Sequence, residues 1–144
     1  MGLVTWTAVF SLPDVRDSRE EVESSLNGLI GAELQRRLRP RLAERGWTFA
    51  EAWPEDHGWH TDALAPDEPK RVVVSLVTCP ELDEAGPGGA ALEDRWRVVT
   101  GIDLGLLPQT KAHRTAVFKR LAKDVEDACH GLRAQAFTWE LGGP

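Results

Sequence analysis

The sequence predicts an α+β protein: a single antiparallel-rich sheet of about five to six strands with two long amphipathic helices packed on one face, in the order β-α-β-β-β-β-α-β. Three observations carry this. Runs rich in β-branched and aromatic residues recur at 3–10, 47–53, 59–64, 71–78, 95–102 and 137–141. Two stretches, near 18–45 and 108–131, space their apolar residues as a helix does. The middle strands are joined by connections too short for a crossover helix, so neighbours pair antiparallel. Two helices with one apolar stripe each most simply cover one face of that sheet.

The first strand ends at Leu12-Pro13, and Asp17-Ser18 offers an N-cap with Glu20, Glu21 and Glu23 in the first turns. Leu26, Ile30, Leu34, Leu38 and Leu42 follow at intervals of four. That spacing drifts about 40° per step on a 3.6-residue helix. The first helix is therefore expected to bend or break near Gly28, Gly31 or Pro40 and to stop at Gly46. From 47 to 53, Trp47, Phe49, Glu51 and Trp53 alternate with small residues, and 59–64 reads as the returning strand. Pro66, Asp67 and Pro69 mark a turn. RVVVSLVT at 71–78 is apolar on both faces and predicts a central strand. Residues 80–94, PELDEAGPGGAALED, predict a mobile polar loop. Pro108 opens the second helix, with Val117, Leu121, Val125, Ala128 and Leu132 on one face, and Phe137, Trp139 and Leu141 alternate in the last strand.

With 144 residues, no internal repeat and near-average apolar and charged fractions, the chain reads as one globular domain over 1–144. Its net charge of −6 makes nucleic acid or an anionic membrane an unfavoured partner and a basic protein a favoured one. The first residues, MGLVTWTAVFSLP, lack a basic n-region and a small-residue cleavage site, and no run has the length of a spanning helix. Two cysteines far apart, Cys79 and Cys129, predict buried free thiols rather than a disulfide framework. The expected location is the cytoplasm. Thirteen arginines against four lysines, with many Ala and Gly, suit a GC-rich bacterial gene.

The chemistry concentrates in WPEDHGWHTD, residues 53–62. If Pro54 to Gly58 is a hairpin loop, Trp53 and Trp59 face each other across it, and Pro54, Asp56 and Gly58 are ordinary turn residues. The same tip would project Glu55, Asp56 and His57 as a recognition surface. A metal site from Asp56, His57, His60 and Asp62 needs three or four converging ligands, yet positions 57 and 60 of a strand point to opposite faces. An Asp56–His57 pair has no serine partner and no GxSxG elbow. Cys129 falls on the apolar side of the second helix. Gly86-Pro87-Gly88-Gly89 is neither a P-loop nor a dinucleotide fingerprint. The arginines of 36–45 complement a helix C-terminus, and Lys111, Thr115, Lys119 and Lys123 form an i, i+4 stripe with no interleaved aromatics.

The PEDHGW segment, after a helix, a Gly-Trp and an amphipathic strand, resembles the PEDWGW-type segment of small bacterial α+β proteins. It departs from that segment at His57, where an aromatic is expected, and the resemblance implies no activity. In profile the chain is similar to bacterial immunity proteins and other protein inhibitors. The expected function is accordingly a non-enzymatic protein-binding domain, an inhibitor or immunity-type partner of a basic protein, with no cofactor, no metal and no catalytic residue. Its expected contacts are Trp53, Glu55, Asp56, His57, Trp59, His60, Glu81, Asp83 and Glu84. The alternative is a small enzyme or ligand-binding domain that gathers Asp56, His57 and His60 in a pocket.

Overall fold

The computed structural model describes residues 3–24, 30–55, 58–66, 72–82 and 91–144. The elements follow as β1 (Leu3–Ser11), α1 (Arg19–Ser24), α2 (Ala32–Ala43), β2 (Thr48–Phe49), β3 (Trp53–Glu55), β4 (Gly58–Leu64), β5 (Val73–Leu82), β6 (Ala91–Asp103), α3 (Pro108–Gly131) and β7 (Gln135–Leu141). The strands form one sheet in the order β2-β4-β5-β6-β1-β7, every pair antiparallel. The short strand β3 also pairs with β4. Because β5 holds one side of β4, both β2 and β3 lie along the other. Leu34, Leu38 and Leu42 of α2, with Val117, Phe118, Leu121 and Val125 of α3, pack in one cluster with Phe10, Val74, Leu76, Trp96 and Val98. The long helices thus share one face of the sheet. Burying a side chain such as Leu121 contributes about 1.5–3 kcal/mol.

The α+β class, the antiparallel sheet and the two long helices match expectation, while the strand count and order need correction. Seven strands and three helices are present among the described residues. The alternating 47–53 run is split into β2 and β3, with Ala50–Ala52 outside the strands. The 80–94 segment is not a loop at its ends: Pro80–Leu82 completes β5 and Ala91–Asp94 begins β6, and residues 83–90 lie outside the described residues.

The first helical stretch is also divided. Ser18 Oγ accepts the Glu21 backbone N–H at 3.2 Å, and Glu21 Oε1 accepts that of Ser18 at 3.0 Å, a reciprocal capping box for α1. Asp17 does something its sequence position does not announce. Its carboxylate accepts the backbone N–H groups of Gly31, Ala32 and Glu33 at 2.9, 3.0 and 3.0 Å and so caps α2 instead. Gly31 makes this junction possible, with φ at +145° and an added Cβ falling 2.1 Å from the Thr78 carbonyl oxygen. Gly28 lies outside the described residues. Pro40 sits within α2, at its last turn, without ending it. At the far end, Trp47 Nε1–H donates to buried Asp124 of α3 at 2.8 Å, and Arg45 donates to Asp124 and Asp127 at 3.0 and 2.9 Å. Among the described residues no helix is long and apolar enough to cross a membrane.

Candidate functional site

Strands β3 and β4 form a hairpin on the β2-bearing edge of the sheet. Its register pairs Trp53 with His60, Pro54 with Trp59 and Glu55 with Gly58, so only residues 56 and 57 connect the strands. This corrects the expected five-residue loop. A shift of one residue moves every side chain to the other face, and Trp59 is therefore not the partner of Trp53. It lies on the helix-bearing face with Thr61 and Ala63. Its carbonyl accepts Gln35 Nε2 of α2 at 2.6 Å, and its indole nitrogen is buried without a hydrogen-bond partner among the described residues. Trp59 belongs to the scaffold. Gly58 closes the turn against β5: at φ +150°, a Cβ there would stand 2.4 Å from the Thr78 oxygen and 2.7 Å from Cys79 Cβ.

The opposite face of the hairpin carries four side chains in one connected array. Trp53 and His60 stack with centroids 4.5 Å apart and planes 17° from parallel. Trp53 Nε1–H donates to Glu55 Oε1 at 2.5 Å. His60 Nε2 lies 3.1 Å from Asp62 Oδ1. Each ring is thus pinned to a carboxylate two residues along its own strand, where the pleat puts i and i+2 on one face. Asp62 was missing from the expected binding residues. The i, i+2 spacing from His60 is the signal that would have included it.

The other expected contacts divide. Asp56, His57, Asp83 and Glu84 lie outside the described residues. Glu81 lies at the same end of the sheet as the hairpin turn, but it is paired with Arg95 at 3.0 Å, and Arg95 also donates to Ser11. Its charge is used within the fold. The same holds for much of the basic surface. Arg36 bonds Glu21 and Glu33, Arg37 bonds Glu33, and Lys123 bonds Asp127. The Arg36 hydrogen bond, opposed by burial and aided by Ser18, holds the Glu21 carboxyl down at about 2. These arginines answer specific carboxylates more than a helix terminus, and the lysine stripe of α3 is interrupted at Lys123.

Little else in the described residues supports chemistry. Burial pushes the Cys79 thiol up to about 11 and the Cys129 thiol up to about 12, so neither is a thiolate at neutral pH. No three His, Cys, Asp or Glu among the described residues converge to hold a metal ion. Concavities of about 390, 180 and 230 Å³ lie beside Phe49 and Leu64, beside Trp96, and beside Arg39 and Phe49. Asp62 touches the first of these, whereas Trp53, Glu55 and His60 line none of the three. No protein-family model matches the chain, and neither a curated protein nor a solved structure matches it.

Proposed function

We propose that this chain is a non-enzymatic protein-binding domain that docks a basic bacterial protein in the cytoplasm, as an inhibitor or immunity-type partner does. The observation that carries the proposal is the array of Trp53, His60, Glu55 and Asp62 on the outer face of the edge hairpin. It has the composition of a contact surface: a partly exposed aromatic pair flanked by carboxylates that no Arg or Lys of the described chain neutralises. Its rings are held before any partner arrives, which lowers the ordering cost of association. The net charge of −6 favours encounter with a basic protein. The alternative, a pocket built on Asp56, His57 and His60, is the weaker proposal, since His60 lines none of the concavities above and its Nε2 is engaged by Asp62.

Site-specific photo-crosslinking in the producing cell tests the proposal. A photoreactive residue at exposed position 51, beside the array and outside it, should yield one discrete adduct with a basic protein, and the same residue at exposed Arg120 on α3 should not. No adduct at position 51, or the same adducts at both positions, would overturn it.

A further inference from the structure

We infer that the partner anchors on this hairpin through an arginine side chain, its guanidinium flat against the outward face of Trp53 and donating to Glu55. The inference rests on the docking role proposed above and adds the chemistry of the contact. Among the described residues β3 pairs only with β4, so it is the last strand at this end of the sheet. Side chains stand roughly perpendicular to a sheet. The near-parallel stack with His60 across the ladder therefore turns one indole face toward β4 and the other off the edge. No aromatic or cationic side chain among the described residues covers that second face. The Trp53 N–H fixes Glu55 Oε1 at the rim of the ring and leaves Oε2 to accept from a ligand.

An indole face that no ring or cation of the described residues covers, with a pinned carboxylate at its rim, suits a planar cation that stacks and donates from its edge at once. Guanidinium does both. A lysine ammonium is a compact, strongly hydrated point charge that can take the Coulombic attraction but not the stacked, edge-donating geometry. Asp62, tied to His60, adds negative potential without blocking the outer face.

The test uses two blocked tripeptides, acetyl-Gly-Arg-Gly-amide and its Lys counterpart, titrated into the whole chain at low salt. The readout is the Trp53 indole N–H resonance, assigned by its loss in Trp53→Phe. The Arg peptide should shift this resonance saturably and bind about fivefold more tightly than the Lys peptide. Glu55→Gln, which keeps an acceptor for the indole N–H, should bring the Arg peptide down to the Lys level while the other indole resonances stay in place. Equal affinity for the two peptides, no response to either, or an undiminished Arg response in Glu55→Gln would overturn the inference. Crosslinking at position 51 is read independently, so an adduct there with no arginine preference would leave the docking role standing and remove only the arginine anchor.

Discussion

The indole of Trp53 lies against the imidazole of His60, centroids 4.5 Å apart, because a two-residue connection puts these positions directly opposite each other. Cross-strand pairs of this kind contribute roughly 0.2–1 kcal/mol. A double-mutant cycle of Trp53→Ala and His60→Ala should therefore show a coupling of about 0.5 kcal/mol or more. A cycle of Trp53→Ala and Trp59→Ala should be additive within about 0.3–0.5 kcal/mol, because those side chains point to opposite faces. Denaturant unfolding of the variants measures both, and the reverse pattern would mean the other register.

Asp124 joins the segment after α2 to α3 by accepting from Trp47 and Arg45. Asp124→Ala leaves the Trp47 N–H buried without an acceptor, which costs about 1–3 kcal/mol. Asp124→Asn keeps an acceptor and should cost less. Equal unfolding midpoints for wild type and Asp124→Ala would show that this contact contributes nothing.

Acid should loosen the α1–α2 junction. Glu21 is held at about 2, below its ordinary 4.5, first by the hydrogen bond from Arg36. Glu33 is also lowered: burial opposes the shift, but hydrogen bonds from Arg37 and Arg36 outweigh it. A depressed carboxyl binds its proton more readily in the unfolded chain, so its contribution is present above 4.5 and lost as pH falls toward 2. Stability measured across that window should fall less steeply in Glu21→Gln than in wild type. Parallel curves would exclude this pair as the cause.

Much of this fold is legible in the sequence because the strongest signals are local. RVVVSLVT, the stripe of Val117, Leu121 and Val125, and the Ser18–Glu21 cap each act within a few residues. What is not legible depends on distant partners. Asp17 reads as the cap of the helix beside it, yet its acceptors serve N–H groups fourteen to sixteen residues away. The alternation from Trp47 to Trp53 looks like one strand, but Trp47 is drawn to Asp124 on the helix side and Ala50–Ala52 leaves the strand. In the candidate site the residue types were readable and the register was not. Turn chemistry at Pro54 and Gly58 fits both a five-residue and a two-residue connection, and that one-residue difference exchanges Trp59 for His60 as the partner of Trp53.

The two thiols should be inert in the folded chain. Burial raises Cys79 to about 11 and Cys129 to about 12. An aromatic disulfide reagent at neutral pH should titrate neither thiol rapidly in the native protein and both in denaturant. Fast native reaction of either one would contradict the packing around it.

The docking role of the hairpin is tested most directly by titrating the protein crosslinked at position 51 against wild type and a Glu55→Gln, Asp62→Asn double variant, which removes both charges and keeps both acceptors, at low and high salt. These are surface changes, and each is expected to alter stability by no more than about 0.5 kcal/mol. The account predicts that the double variant folds but binds more weakly than wild type at low salt. The gap should narrow at high salt, where exposed charges are screened. Binding equal to wild type at low salt would contradict it and move the functional surface away from the β3–β4 hairpin.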